Sequence, residues 1–409
     1  MNKINDKNAT ILAKEKTYEI DYNAEDIFER GANYLDELAS KNFFLDAIKN
    51  YINKGTSSFK GDIDSLTDIN DFIKAAYDNA GFKGDKGSGA FSYNPSSLKS
   101  WINGKTIPSV KKAQIICLCL GMNADEAIEF IFKGCLAKPF NFKNTWDSVC
   151  YYCLNNGKSF ADAQRIMNEI EKANIQPEQY PENDTIKIGE QIKSKTNDDD
   201  LIRYLSANKK GFAEQNQGAL DTLKRLVKDS VELAEWERKE IFHDTSESEI
   251  KSEKDIPSIL SVILGYDARA TQVEKVGDEY QRRDIYKKKI SKSNFPNLIK
   301  NDFPQPQQLQ NILNGKKSSV EAIRKAIILF TFYNMFTKLK KDGSDNSKAN
   351  CFDIYSDTID DILCECGYIE MYWKHPYDWM FGYCAGATDP VGELRELIAA
   401  FYLDLEDIY

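Results

Sequence analysis

Residues 93–122 constrain the chain most tightly, because two apolar runs at helical spacing are held there between residues that start and stop helices. Asn94 and Pro95 suit the N-cap and first turn of a helix, and Leu98, Trp101 and Ile102 fall on one of its faces. Gly104 ends that helix. Pro108 and Ser109 open another, in which Val110, Ala113, Ile116, Cys117 and Leu120 form a stripe that must be buried before Gly121 stops it. Alternation of the strand type is almost absent from the whole chain, so the pattern predicts an all-α protein of helices joined by short turns.

The phrase made by Trp101, Gly104, Lys105, Pro108 and Ser109 resembles the end of the helix-turn-helix unit of phage-repressor-like (Xre or Cro-type) regulators. In that family the recognition helix often closes on Trp-x-x-Gly-Lys-x-x-Pro-Ser. Asp71–Ala80, with Phe72, Ile73, Ala76 and Tyr77 at helical spacing, is expected as the first helix of the unit. Between them the sequence departs from the family, since the Gly-rich stretch 81–90 stands where a helix rich in Gln and Glu is usual. The resemblance implies a reader of double-stranded DNA without a cofactor. The segment that follows, through Ala124–Ala127, Pro139, Asp147–Tyr152, Asn156, Gly157 and Ala161–Glu169, resembles the helical module trailing this domain in regulators of Firmicutes, which implies architecture but no activity.

Much of this wording occurs twice. Pro95, Leu98, Ile102, Asn103, Gly104 and Lys105 are echoed by Pro306, Leu309, Leu313, Asn314, Gly315 and Lys316, and Val110 by Val320. Further on, Cys135, Asp147, Tyr152 and Cys153 match Cys366, Asp378, Tyr383 and Cys384, and Ile166-Met167 matches Leu397-Ile398, all at one constant offset. The expected organisation is therefore two divergent copies of a helix-turn-helix unit plus small helical bundle, in 61–175 and 291–409, the second interrupted by a polar loop at 343–350. Around them lie an N-terminal helical segment (1–60), a linker (176–200) whose Pro177, Pro181 and polar residues suit no core, and a middle helical region (201–290).

Charge bears on partners. The net charge of -10 argues against indiscriminate coating of nucleic acid, but the charges are segregated. Arg282, Arg283, Lys287, Lys288, Lys289, Lys292, Lys316, Lys317, Arg324 and Lys325 make 282–341 basic, whereas acids collect in 353–361 and 393–407. No apolar run approaches a membrane span and the N-terminus carries no hydrophobic signal, so a cytoplasmic protein without membrane contact is expected. The 9 cysteines lie mostly in apolar helical runs and suit reduced core thiols.

The candidate DNA-binding residues follow from the helix geometry. Ser96, Ser97, Lys99, Ser100 and Asn103 face away from Leu98, Trp101 and Ile102, and Lys105 lies just past the helix end. Hydroxyl, amide and ammonium groups so placed suit base edges and phosphates, and equally a solvated helix face. In the second copy Gln307, Gln308 and Asn311, amides that pair well with adenine, precede Lys316 and Lys317. Cys150-x-x-Cys153 is half of a zinc pattern inside an apolar run and reads as core. His243 and His375 lie in no ligand pattern, and Gly81–Gly89 lacks a phosphate-loop ending. Trp373, Tyr377, Trp379, Phe381 and Tyr383 read as the core of the second bundle. Two functions fit: a sequence-specific transcriptional regulator without catalytic activity, or a helical adaptor of antitoxin or defence type that binds a protein partner through its bundles and keeps a vestigial helix-turn-helix.

Overall fold

A computed structural model describes residues 40–82, 94–173, 185–208, 217–240, 250–265, 303–316, 318–343, 348–373 and 375–402. Among the described residues every element is an α-helix, sixteen in all, so the all-α class holds. They divide into two compact units, one within 41–214 and the other within 215–409.

Among the described residues the first unit has nine helices: α1 (Phe43–Asn53), α2 (Leu66–Asn79), α3 (Pro95–Ile102), α4 (Val110–Leu120), α5 (Ala124–Cys135), α6 (Thr145–Asn155), α7 (Phe160–Lys172), α8 (Thr185–Lys193) and α9 (Asp198–Ala207). Their starts are chemically marked. Asn42, Ser65, Asn94, Asn123, Asn144, Ser159 and Asn197 each accept a backbone N–H of the following first turn, and Asn123–Glu126 and Ser159–Asp162 are reciprocal capping boxes. α4 and α6 form the middle of the core. Ala113, Ile116, Cys117, Val149, Cys150 and Tyr152 are completely buried there, each large apolar side chain contributing about 1.5–3 kcal/mol of burial.

Two sequence expectations change in this unit. α2 starts at Leu66, ahead of Asp71, because Ser65 caps it through the Asp68 amide. The stretch 176–200 contains α8 and the start of α9, where a linker is expected. Ile188, Ile192, Leu201 and Leu205 on these helices are buried in the first unit's core. The region 201–290 is likewise no single block, since α9 belongs to the first unit and the next helix to the second.

The second unit comprises α10 (Gln217–Glu240), α11 (Ile256–Ile263), α12 (Pro306–Leu313), α13 (Val320–Lys341), α14 (Lys348–Glu365), α15 (Pro376–Ala385) and α16 (Pro390–Tyr402). α13 is its axis, packed by α10, α14, α15 and α16, and is accordingly buried on nearly all sides from Ile323 to Tyr333. Trp373, Tyr377, Trp379, Phe381 and Tyr383 belong to this core. The polar stretch 343–350, expected as a loop, gives way to α14 at Lys348.

Candidate nucleic-acid interface

The candidate surface is built on α3. Leu98 and Ile102 are buried and Trp101 nearly so, its ring meeting the edge of Phe44 at 6.0 Å between centroids. These anchors fix which way the opposite face looks. Ser96, Lys99 and Asn103 are exposed there, Ser97 and Ser100 are half-buried, and Lys105 is exposed in the turn that follows. Two hydroxyls are already engaged: Ser96 Oγ with Asn94 Oδ1 at 2.7 Å, and Ser100 Oγ with Thr106 Oγ1 at 2.9 Å. Each keeps a lone pair for a further donor.

The end of α3 is tightly specified. Lys105 N–H donates to Ser100 O at 2.9 Å and Gly104 N–H to Trp101 O at 3.1 Å, a paired closure that needs the left-handed φ of +69° at Gly104. Pro108 is buried, and α4 begins at Val110 without a side-chain cap from Ser109. α1 holds both helices from behind. Asn42 Nδ2 donates to Ile102 O at 2.6 Å and Tyr51 Oη to Leu120 O at 3.2 Å, so the closing carbonyls of α3 and α4 are both tied to one helix. The stretch 83–93, where the preceding helix of a helix-turn-helix would fall, lies outside the described residues.

In the second unit α12 is also eight residues long, begins with proline, and buries Leu309 and Ile312. Gln307 and Gln308 are exposed, Asn311 is half-buried and Lys316 exposed; Lys317 lies outside the described residues. Gln307 Nε2 donates weakly to Asn311 Oδ1 at 3.4 Å. Lys316 N–H donates to Asn311 O and Gly315 N–H to Ile312 O, both at 2.9 Å, with Gly315 at φ +75°. The two sets of candidate residues thus lie in different units.

Each unit also holds a carboxylate turned toward its interior, Asp147 half-buried and Asp378 fully buried; the acids stand out in the sequence through their shared spacing, but their partners do not. Asp147 accepts the Asn141 N–H at 2.7 Å and Gln114 Nε2 at 3.1 Å, while the same Nε2 reaches Pro139 O at 2.9 Å. Burial pushes this carboxyl up to about 6, against the opposing hydrogen bonds and the pull of Lys111 and Lys138. Asp378 accepts the Tyr372 N–H at 2.7 Å and a fork from Arg324, 2.9 and 2.6 Å, and Arg324 also reaches Glu370 O at 3.2 Å. Burial opposes ionisation of Asp378 too, but the Arg324 guanidinium overcomes it and holds the carboxyl below its ordinary value.

Arg324 is therefore not part of a basic surface, as the charge pattern of 282–341 suggests; it is 2 % exposed. Lys340 and Lys341 in the same stretch pair with Asp389 and Glu232. The Cys150 and Cys153 thiols are core groups, pushed up chiefly by burial. His375 caps α15, its Nδ1 accepting the Tyr377 N–H at 3.0 Å, and burial together with Lys325 pushes it down to about 3. His243 and most of the Gly-rich stretch, 83–89, lie outside the described residues. No helix among the described residues is long and apolar enough to cross a membrane.

No protein-family model, curated protein or solved structure matches the chain.

Proposed function

We propose that the chain is a sequence-specific DNA-binding regulator without catalytic activity, and that its two units are divergent copies of one repressor-like fold. The observation that carries the DNA reading is α3 itself. Three buried anchors hold a short helix whose opposite face offers Ser96, Lys99 and Asn103, a left-handed glycine closes it, and Lys105 follows at its end. Such a helix can offer amide and hydroxyl groups to base edges while lysines meet phosphates.

The reading of two copies is supported by bonds between unlike residues. Gln114 and Arg324 lie four residues past Val110 and Val320, and each joins an inward-turned Asp to a carbonyl of the loop that precedes that Asp. Leu136, the one non-glycine residue with positive φ among those described, has Gly367 at the matching offset, with φ +53° and +72° respectively. Backbone conformation is kept there while the side chain differs, as expected of common descent and not of chance similarity in words.

A mobility-shift assay against the protein's own promoter, at two salt concentrations, tests the function. Replacing Lys99 and Lys105 by Ala is expected to weaken binding and flatten its log-log salt dependence by about 0.9 for each phosphate that is no longer neutralised. Unchanged affinity and slope would reject α3 as a DNA-contacting helix. One observation favours a second reading, a helical adaptor for a protein partner: Arg324, Lys340 and Lys341 are neutralised within the fold of a chain whose net charge is -10. A chain that shifts no DNA even at low salt would turn the assignment to that reading.

A further inference from the structure

We infer that Asn42, outside the stretch that resembles a repressor, is a positioning residue for α3 and sets how its polar face meets DNA; the inference rests on the DNA reading above. The amide of Asn42 does two things at once. Its Oδ1 accepts the Leu45 N–H at 3.0 Å and so caps α1, while its Nδ2 donates to Ile102 O at 2.6 Å. Ile102 is the last residue of α3, so its carbonyl is among those that find no partner within the helix. The same amide packs under the turn: a Cβ added to Gly104 would come within 3.3 Å of Asn42 Cγ. One side chain therefore starts one helix, ends another and fills the space below the glycine that precedes Lys105.

The rest of α1 makes this bond a reference point. Phe44, Ala47 and Ile48 are buried, α1 packs along α5 with the Gly134 backbone against Ala47, and Tyr51 holds the end of α4. α3, by contrast, is only eight residues long, and its amphipathic grip consists of Leu98, Trp101 and Ile102. An isolated helix of that length has little stability of its own, so its direction depends on tertiary ties at its ends. Lys99 and Asn103 lie on the last turn, next to the tie. Movement of that end would carry Asn103 out of register with base edges, whereas the long side chains of Lys99 and Lys105, meeting phosphates, follow such a movement.

Two variants separate the tie from the cap. Asn42→Asp and Asn42→Ser both keep an oxygen that can cap α1, but the ionised Asp has no donor for Ile102 O, and the Ser hydroxyl, one atom shorter than the amide, has a single proton that falls short of that carbonyl. Each should fold as the parent does. Backbone amide exchange over 95–107 should quicken in both, and binding to a duplex selected by the parent chain should weaken by up to ~tenfold, the range set by one hydrogen bond. In Asn42→Ser, which leaves the charge as it is, affinity for unrelated duplex at the same salt should stay unchanged, so discrimination falls, which a general loss of stability would not produce; the added charge of Asn42→Asp lowers affinity for every duplex, and its discrimination is read as the ratio of the two affinities. Faster exchange with undiminished discrimination would overturn the positioning role alone, as would unchanged exchange. A parent chain that selects no duplex at all would overturn the DNA reading and the role together.

Discussion

At Asp147, half-buried, and Asp378, fully buried, the same residue type meets opposite electrostatic conditions. Asp378 has a bidentate guanidinium, a geometry that can offset the cost of burying both charges; Asp147 has an amide and a peptide N–H. A carboxyl with pKa about 6 in the folded chain and an ordinary value of 3.8 binds more protons folded than unfolded between those limits. Stability from this group is therefore greatest in acid and falls as pH rises from about 4 to about 6, after which it is flat. Asp147→Asn should remove that part of the slope, measured as melting temperature of the first unit at intervals from pH 4 to pH 7; a slope that survives unchanged would mean the carboxyl is ionised throughout. Both acids are legible in the sequence through their common spacing. Gln114 and Arg324 are not, because a partner that changes from amide to guanidinium leaves no shared letter, and Arg324 is only one of two adjacent cations, with Lys325, at the head of the apolar run after Val320.

Among the elements, those with one face in the core are readable from sequence and those surrounded by neighbours are not. α3, α4, α5 and α7 are marked by caps, glycine stops and apolar spacing, and they lie where that spacing puts them. α15 has no polar face, every residue from Pro376 to Ala385 being buried, so composition places it in the core but periodicity cannot show a helix. α8 and the start of α9 escape notice for a different reason. The run Asp198–Asp200 looks like solvated linker, yet in a helix's first turn, behind the Asn197 cap, negative charge is favourable, and Asp198 also receives Tyr152 Oη at 2.7 Å and the Arg165 guanidinium. Packing in α15 leaves a sharp test. A Cβ at Gly382 would lie 1.9 Å from Trp373 Cζ3, so Gly382→Ala forces the indole or the helix to move. A loss of about 1–3 kcal/mol or more is expected in urea unfolding of the second unit, where a surface Gly→Ala in a helix would gain. A neutral result would show that the packing of α15 on Trp373 is loose.

Over the whole molecule, one polypeptide carries two polar helices with different side chains: Ser96, Lys99 and Ser100 on α3, and Gln307, Gln308 and Asn311 on α12. A dimeric repressor presents identical helices, so its operator is palindromic. This chain is expected to leave a footprint of two unlike half-sites, one lost on changing the α3 set and the other on changing the α12 set. A symmetric footprint, or indifference to the α12 set, would remove α12 from sequence reading. Covalent linkage has a further effect, on dose. Once one half-site is held, the second helix is supplied by the same molecule at an effective concentration set by the chain and not by the cell. Occupancy of a sparse operator would then rise in direct proportion to the amount of protein, where a regulator assembled from separate subunits rises with its square. The cell would have a regulator with no assembly threshold, graded from its first copies and insensitive to dilution at division beyond simple proportion.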